Sequence, residues 1–179
     1  MTSSKESSKN LMPQRALESL MEGNKRFLNN QSLNRDLQAA VDKNRDGQKP
    51  FAAVLSCADS RVPVEIVFDQ GVGDVFSVRL AGNIASINAI ASLAFSCKYL
   101  GSSLIVVLGH TKCGAVKGAC DNVQLGSLDQ LFKYIRPAID AEKEIADPAR
   151  RNSGDADFLN KVTHLNVEQQ ITTILDNSP

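Results

Sequence analysis

Cys57 leads a short run, Cys57-Ala58-Asp59-Ser60-Arg61, that sets a thiol, a carboxylate and a guanidinium at every second position. An extended backbone has a side-chain period of two, so the three groups are expected on one side of the chain, sharing one pocket wall. Further along, His110-Thr111-Lys112-Cys113-Gly114 holds an imidazole and a thiol at a His-x-x-Cys spacing, short enough for both to reach one ion. Two thiolates and one imidazole are a zinc-type ligand set. Three protein ligands leave the fourth tetrahedral position open to water, as in catalytic rather than closed structural zinc sites. Each piece also has a plainer explanation. A single Cys at a strand end is commonly a small buried hydrophobe, and Asp59 with Arg61 could be an ion pair closing a loop.

The elements that must position these groups are marked by apolar patterning. Runs at 51–56, 75–80 and 103–109 are rich in Val, Ile, Leu and Phe without polar alternation, as expected of strands buried on both faces. Between the last two, Ile84, Ile87, Ile90, Ala91, Ala94 and Phe95 fit a packed helix over 83–100, which makes a βαβ unit with a parallel sheet. Cys57 and His110 then end the first and third strands, where a doubly wound sheet places its ligands. Pro13 opens a helix with Leu17, Leu20, Met21, Phe27 and Leu28 on one apolar stripe, and a weaker helix is expected over 34–44. Ser127 with Gln130 resembles a capping box for a helix along Leu128, Leu131, Phe132, Ile135 and Ile139, bent at Pro137. A last helix carries Phe158, Leu159, Val162, Leu165, Ile171, Ile174 and Leu175, with His164 on its solvated side.

Composition excludes several function classes. The 179 residues, 42% apolar, suit one domain over 13–179 after a Ser- and Lys-rich, disordered segment at 1–12. Lys plus Arg and Asp plus Glu both count 20, so nothing points to a nucleic acid or an anionic membrane. No apolar run approaches the roughly 20 residues of a membrane span, and MTSSKESSKN lacks the apolar stretch of a secretory signal. A cytoplasmic protein is expected, or a periplasmic one if a signal was removed. The four cysteines are few for a disulfide scaffold and suit metal binding or burial, Cys97 in the core of its helix.

Together, Cys-x-Asp-Ser-Arg and His-x-x-Cys-Gly resemble the signature of β-class carbonic anhydrases. The resemblance extends to Gln48-Lys49-Pro50, Val62-Pro63, the run from Gly73 to Arg79, Gly82-Asn83, and the segment from Gly23-Asn24 to Phe27. It implies an α/β fold with a predominantly parallel sheet of strand order 2-1-3 flanked by helices, and the family's usual C-terminal strands are expected to be lacking. It implies one Zn2+ per chain on Cys57, His110 and Cys113, with Asp59 and Arg61 as the catalytic pair. Gln48 matches a substrate-side amide, Phe76 an apolar pocket wall, and the backbone N–H near Gly114 is assigned to the developing bicarbonate oxygen. The implied activity is reversible hydration of carbon dioxide in a homodimer or larger homo-oligomer. Hydrolysis of carbon disulfide or carbonyl sulfide, and a non-catalytic zinc-stabilised dimerisation module, are the alternatives. An allosteric bicarbonate-binding subgroup shares Arg79 but has Trp where this chain has Val54, so water is expected as the fourth zinc ligand.

Overall fold

A computed structural model describes residues 12–178, so the segment expected to be disordered lies, but for Met12, outside the described residues. The elements run α1 (Pro13–Leu28), α2 (Leu37–Lys43), β1 (Ala52–Ser56), α3 (Val64–Val67), β2 (Val75–Arg79), a 3-10 turn (Ala81–Asn83), α4 (Ile87–Phe95) continuing as a π-helical turn (Ser96–Leu100), β3 (Leu104–Leu108), α5 (Gly114–Cys120), α6 (Leu128–Phe132), α7 (Arg136–Ala141), a second 3-10 turn (Pro148–Arg150) and α8 (Ala156–Asn177). The three strands form a parallel sheet in the expected order β2-β1-β3. All of β1 is buried, whereas β2 beyond Val75 and the whole of β3 are half-buried. The uniform apolarity of the three runs had suggested burial on both faces for each. Only the central strand has a neighbour on both edges among the described residues.

The chain divides into two compact units, one of residues up to 54, 61–78 and 92–106, the other of residues 55–60, 79–91 and 107 onward. The boundary falls inside each strand, so all three carboxyl ends, with the loops that directly follow β2 and β3, belong to the second unit.

In the first unit, α1 turns Ala16, Leu20 and Gly23 inward. A Cβ on Gly23 would stand 1.7 Å from the Phe68 carbonyl oxygen, so only glycine allows this approach. Asn24 donates to the Val67 carbonyl at 2.9 Å, and Arg26 and Arg35 pair with buried Asp69 at 2.5 and 2.6 Å. The expected single stripe on α1 is divided: Leu20 is buried, while Leu17, Met21 and Leu28 face outward. The second helix starts later than its pattern suggested, at Leu37, because Asp36 caps it by accepting from Ala39 N–H at 2.9 Å.

In the second unit, Val116, Phe132, Ile135, Ala138, Phe158 and Val162 form the core between α5, α6, α7 and α8. The predicted helix over 128–139 is broken into α6 and α7, with Pro137 in the first turn of the latter. Ser127 makes no side-chain cap bond; its own backbone is helical (φ −82°, ψ 0°) rather than extended as a capping residue's usually is. The helix expected from residue 83 begins only at Ile87, because Gly82 and Asn83 take left-handed φ of 72° and 46°. That interruption shapes the site below.

Candidate metal centre

Cys57 follows β1 directly, His110 stands two residues beyond β3, and Cys113 is the N-cap of α5. Lys112, at φ 57°, bends the intervening turn so that His110 and Cys113 face one point. The ligand atoms of Cys57, His110 and Cys113 all lie within 4.8 Å of one another, with the two sulfurs 3.8 Å apart. Both cysteines are buried, at 5% and 1% exposure, and the His110 side chain is 11% exposed.

The protonation pattern suits a cation. The His110 Nδ1 lies 3.0 Å from the Thr111 carbonyl oxygen, which can only accept, so Nδ1 carries a proton and, in the neutral ring, the lone pair falls on Nε2. That Nε2 is buried without a hydrogen-bond partner, a costly arrangement unless a metal takes the lone pair. Without metal, the two thiols share charge. Cys57 is pushed down to about 4, chiefly by the hydrogen bond from Cys113, with burial opposing and His110 and the Asp59 and Gly82 backbone assisting. Cys113 is pushed up, first by that same bond and then by burial. A divalent cation would hold both sulfurs as thiolates and release the protons they carry. The residues present therefore fit zinc, the metal that β-carbonic anhydrases use.

Around this group the second unit supplies hydrogen bonds that spacing alone does not reveal. Gly82 N–H donates to Cys57 Sγ at 3.3 Å. Arg79, the last residue of β2, donates to the carbonyls of Cys57 (3.1 Å) and Asp59 (2.6 Å), clamping the segment between them. Asp59 Oδ2 stands 3.8 Å from His110 Nε2, so the carboxylate borders the metal position. The period-two argument holds over Cys57 and Asp59, with Ala58 exposed between them, but Ser60 and Arg61 fall in a turn and Arg61 is exposed. Gln48 is exposed, Phe76 is half-buried on β2, and Gly114 is exposed at the first position of α5. Cys97 is half-buried rather than core, Cys120 packs against the core of the second unit, and His164 is exposed. The signal that could have found the Gly82 contact is the Gly82-Asn83 pair, two residues favouring left-handed backbone three positions past the end of β2.

Residues 52–179 match the carbonic anhydrase family model. The chain belongs to the carbonic anhydrase family, in its β class. It is 40% identical over 135 residues to carbonic anhydrase 2 of Mycobacterium tuberculosis, covering 73% of this chain and 63% of that one. It is 39% identical over 127 residues to a carbonic anhydrase of Mycolicibacterium smegmatis, covering 69% of this chain and 60% of that one. The chain thus spans less than two thirds of the length of these curated relatives. Among solved structures, the Coccomyxa β-carbonic anhydrase in complex with acetazolamide superimposes with a TM-score of 0.67 at 28% identity, covering 91% of this chain and 72% of that one. A tetrameric β-carbonic anhydrase of Sordaria macrospora does so with a TM-score of 0.64 at 26% identity, covering 91% and 82%.

Proposed function

We propose that the protein catalyses the reversible hydration of carbon dioxide to bicarbonate, with one zinc ion held by Cys57, His110 and Cys113. The observation that carries this is the convergence of two buried sulfurs and an unpartnered imidazole nitrogen within 4.8 Å. Zinc bound there supplies a Lewis acid that makes water a nucleophile near neutral pH. Asp59, at the edge of the group, accepts a hydrogen bond from the attacking water and orients it. Arg61 is assigned to hold that carboxylate as an acceptor, a bidentate task suited to a guanidinium. Gln48, Phe76 and the Gly114 N–H are assigned to the substrate side on the family resemblance.

Membership of the family and the donor set support this reading. Its test is metal analysis with stopped-flow hydration for the wild type, Cys113→Ala and Arg61→Ala, with carbon disulfide assayed in parallel. One zinc per chain and hydration in the wild type, loss of both in Cys113→Ala, and retained zinc with collapsed hydration in Arg61→Ala are expected. Full zinc occupancy in Cys113→Ala would refute the ligand assignment. Turnover of carbon disulfide without hydration would refute the substrate.

Residues 13–179 are proposed to form a single zinc-binding domain that works as a homodimer or larger homo-oligomer. The outward Leu17, Met21 and Leu28 of α1 supply apolar surface for association, and the Sordaria relative is described as tetrameric. Light scattering that finds only monomer at micromolar concentration would overturn the assembly. No helix among the described residues is long and apolar enough to cross a membrane. A cytoplasmic setting is proposed because Cys57, Cys97, Cys113 and Cys120 are all unpaired thiols.

A further inference from the structure

We infer that Asn166 and Gln170 of α8 are positioning residues for the metal centre, acting through Gly82 on the Cys57 sulfur; the inference rests on the zinc reading above. Both amides are 1% exposed on a helix whose other buried positions include Phe158, Leu159 and Val162. Two neighbouring amides in such surroundings cost stability unless each bond is made. Asn166 Nδ2 donates to the Gly82 carbonyl at 3.0 Å, and Asn166 Oδ1 accepts from Gln170 Nε2 at 2.9 Å. Gln170 Nε2 also donates to the Tyr134 carbonyl at 2.9 Å, and its Oε1 accepts from Ala85 N–H at 2.8 Å. The two side chains therefore hold the 82–85 segment at both ends.

What they hold is a left-handed turn with one chemical output. Gly82 and Asn83 sit at left-handed φ, and this conformation delivers Gly82 N–H to Cys57 Sγ at 3.3 Å. An N–H donated to a ligand sulfur offsets part of its buried negative charge and fixes its direction toward the metal, so loss of the donor lowers metal affinity. Gly82 has no side chain with which to fix its own backbone. Orientation of the donor thus falls to the amide on its carbonyl side, Asn166, which Gln170 holds in the required rotamer. A purely structural role would leave the sulfur indifferent to Asn166.

The test loads the full-length protein with cadmium-113 and records proton–cadmium correlation spectra. In the wild type, the Gly82 amide proton should couple to cadmium through the Cys57 sulfur. In Asn166→Ala the coupling should fall at least about two-fold and zinc affinity about ten-fold. Val162→Ala, a core truncation on the same helix, should keep both. Asn166→Leu, which has nearly the shape of asparagine and no group that can donate to Gly82, should behave as Asn166→Ala and serves if alanine does not fold. Thiolate-bound cadmium without a Gly82 coupling in the wild type, or an undiminished coupling in either Asn166 variant, overturns the inference. An equal loss in Val162→Ala overturns it as well. Cadmium bound without thiolate ligands would instead refute the zinc site itself.

Discussion

Arg79 reaches from the end of β2 to the backbone of the segment after β1, donating 2.6 Å to the Asp59 carbonyl and 3.1 Å to that of Cys57. One guanidinium thereby sets the spacing between a candidate zinc ligand and the carboxylate beside it. Its planar fork makes both bonds at once, which a lysine ammonium on a flexible stem cannot reproduce.

Arg79→Lys and Arg79→Met should each lose about 1–3 kcal/mol of stability, since charge-assisted bonds to partly buried carbonyls are broken. Hydration per zinc-loaded chain should fall by about ten-fold or more as Asp59 loses its placement. Urea melts and stopped-flow rates check both. A lysine variant with wild-type turnover would show that only charge is required.

Gly82→Ala should destabilise the second unit by about 1–3 kcal/mol, because φ 72° is strained for any L residue. The added Cβ would also stand 2.8 Å from Ile135 Cδ1 and 3.2 Å from Ala115 Cβ. Zinc affinity should drop together with stability, as the donor to Cys57 moves. Isothermal competition with a chelator measures the first and thermal melting the second.

These two positions mark where the sequence stops being informative. The three candidate ligands were readable because Cys57, His110 and Cys113 are types and spacings with few other joint uses. The three strands were readable to within a residue because their apolar runs are short and bounded. Arg79 was not, because a guanidinium aimed at backbone carbonyls leaves no pattern in its neighbours. Nor was the fate of α1, where period 3.6 shows that Leu17, Leu20 and Met21 are apolar but not which of them meets a neighbour. Ser127 matched a cap by spacing and failed by backbone conformation.

Glu142 offers a prediction in pH. Burial alone would raise its pKa, but the Ile145 and Glu144 N–H groups and the Arg151 guanidinium at 2.6 Å outweigh it and hold the carboxyl below its ordinary range. A depressed folded-state pKa contributes stability above the unfolded value, roughly 4.3, which is lost as pH falls through the lower folded value. Glu142→Gln should therefore be less stable than wild type at pH 7, with the difference shrinking toward acid. Denaturation midpoints from pH 7 to about 3 test this. A difference that grows on acidification would contradict the sign.

X-ray absorption at the zinc edge should find two sulfur ligands at about 2.3 Å and two nitrogen or oxygen ligands near 2.0 Å. Cys113→Ser should lose one sulfur. A four-sulfur shell would identify a closed structural site and favour the dimerisation module over the enzyme.

The group at Cys57, His110 and Cys113 is proposed to make this chain a zinc-dependent carbon dioxide hydratase. Stopped-flow hydration by one preparation, before chelation, after zinc removal and after restoration of one equivalent, tests it most directly. A rate well above buffer, loss of that rate with the metal, and recovery in proportion to zinc bound are expected. Hydration that survives complete zinc removal, or a fully zinc-loaded, folded protein no faster than buffer, would contradict it.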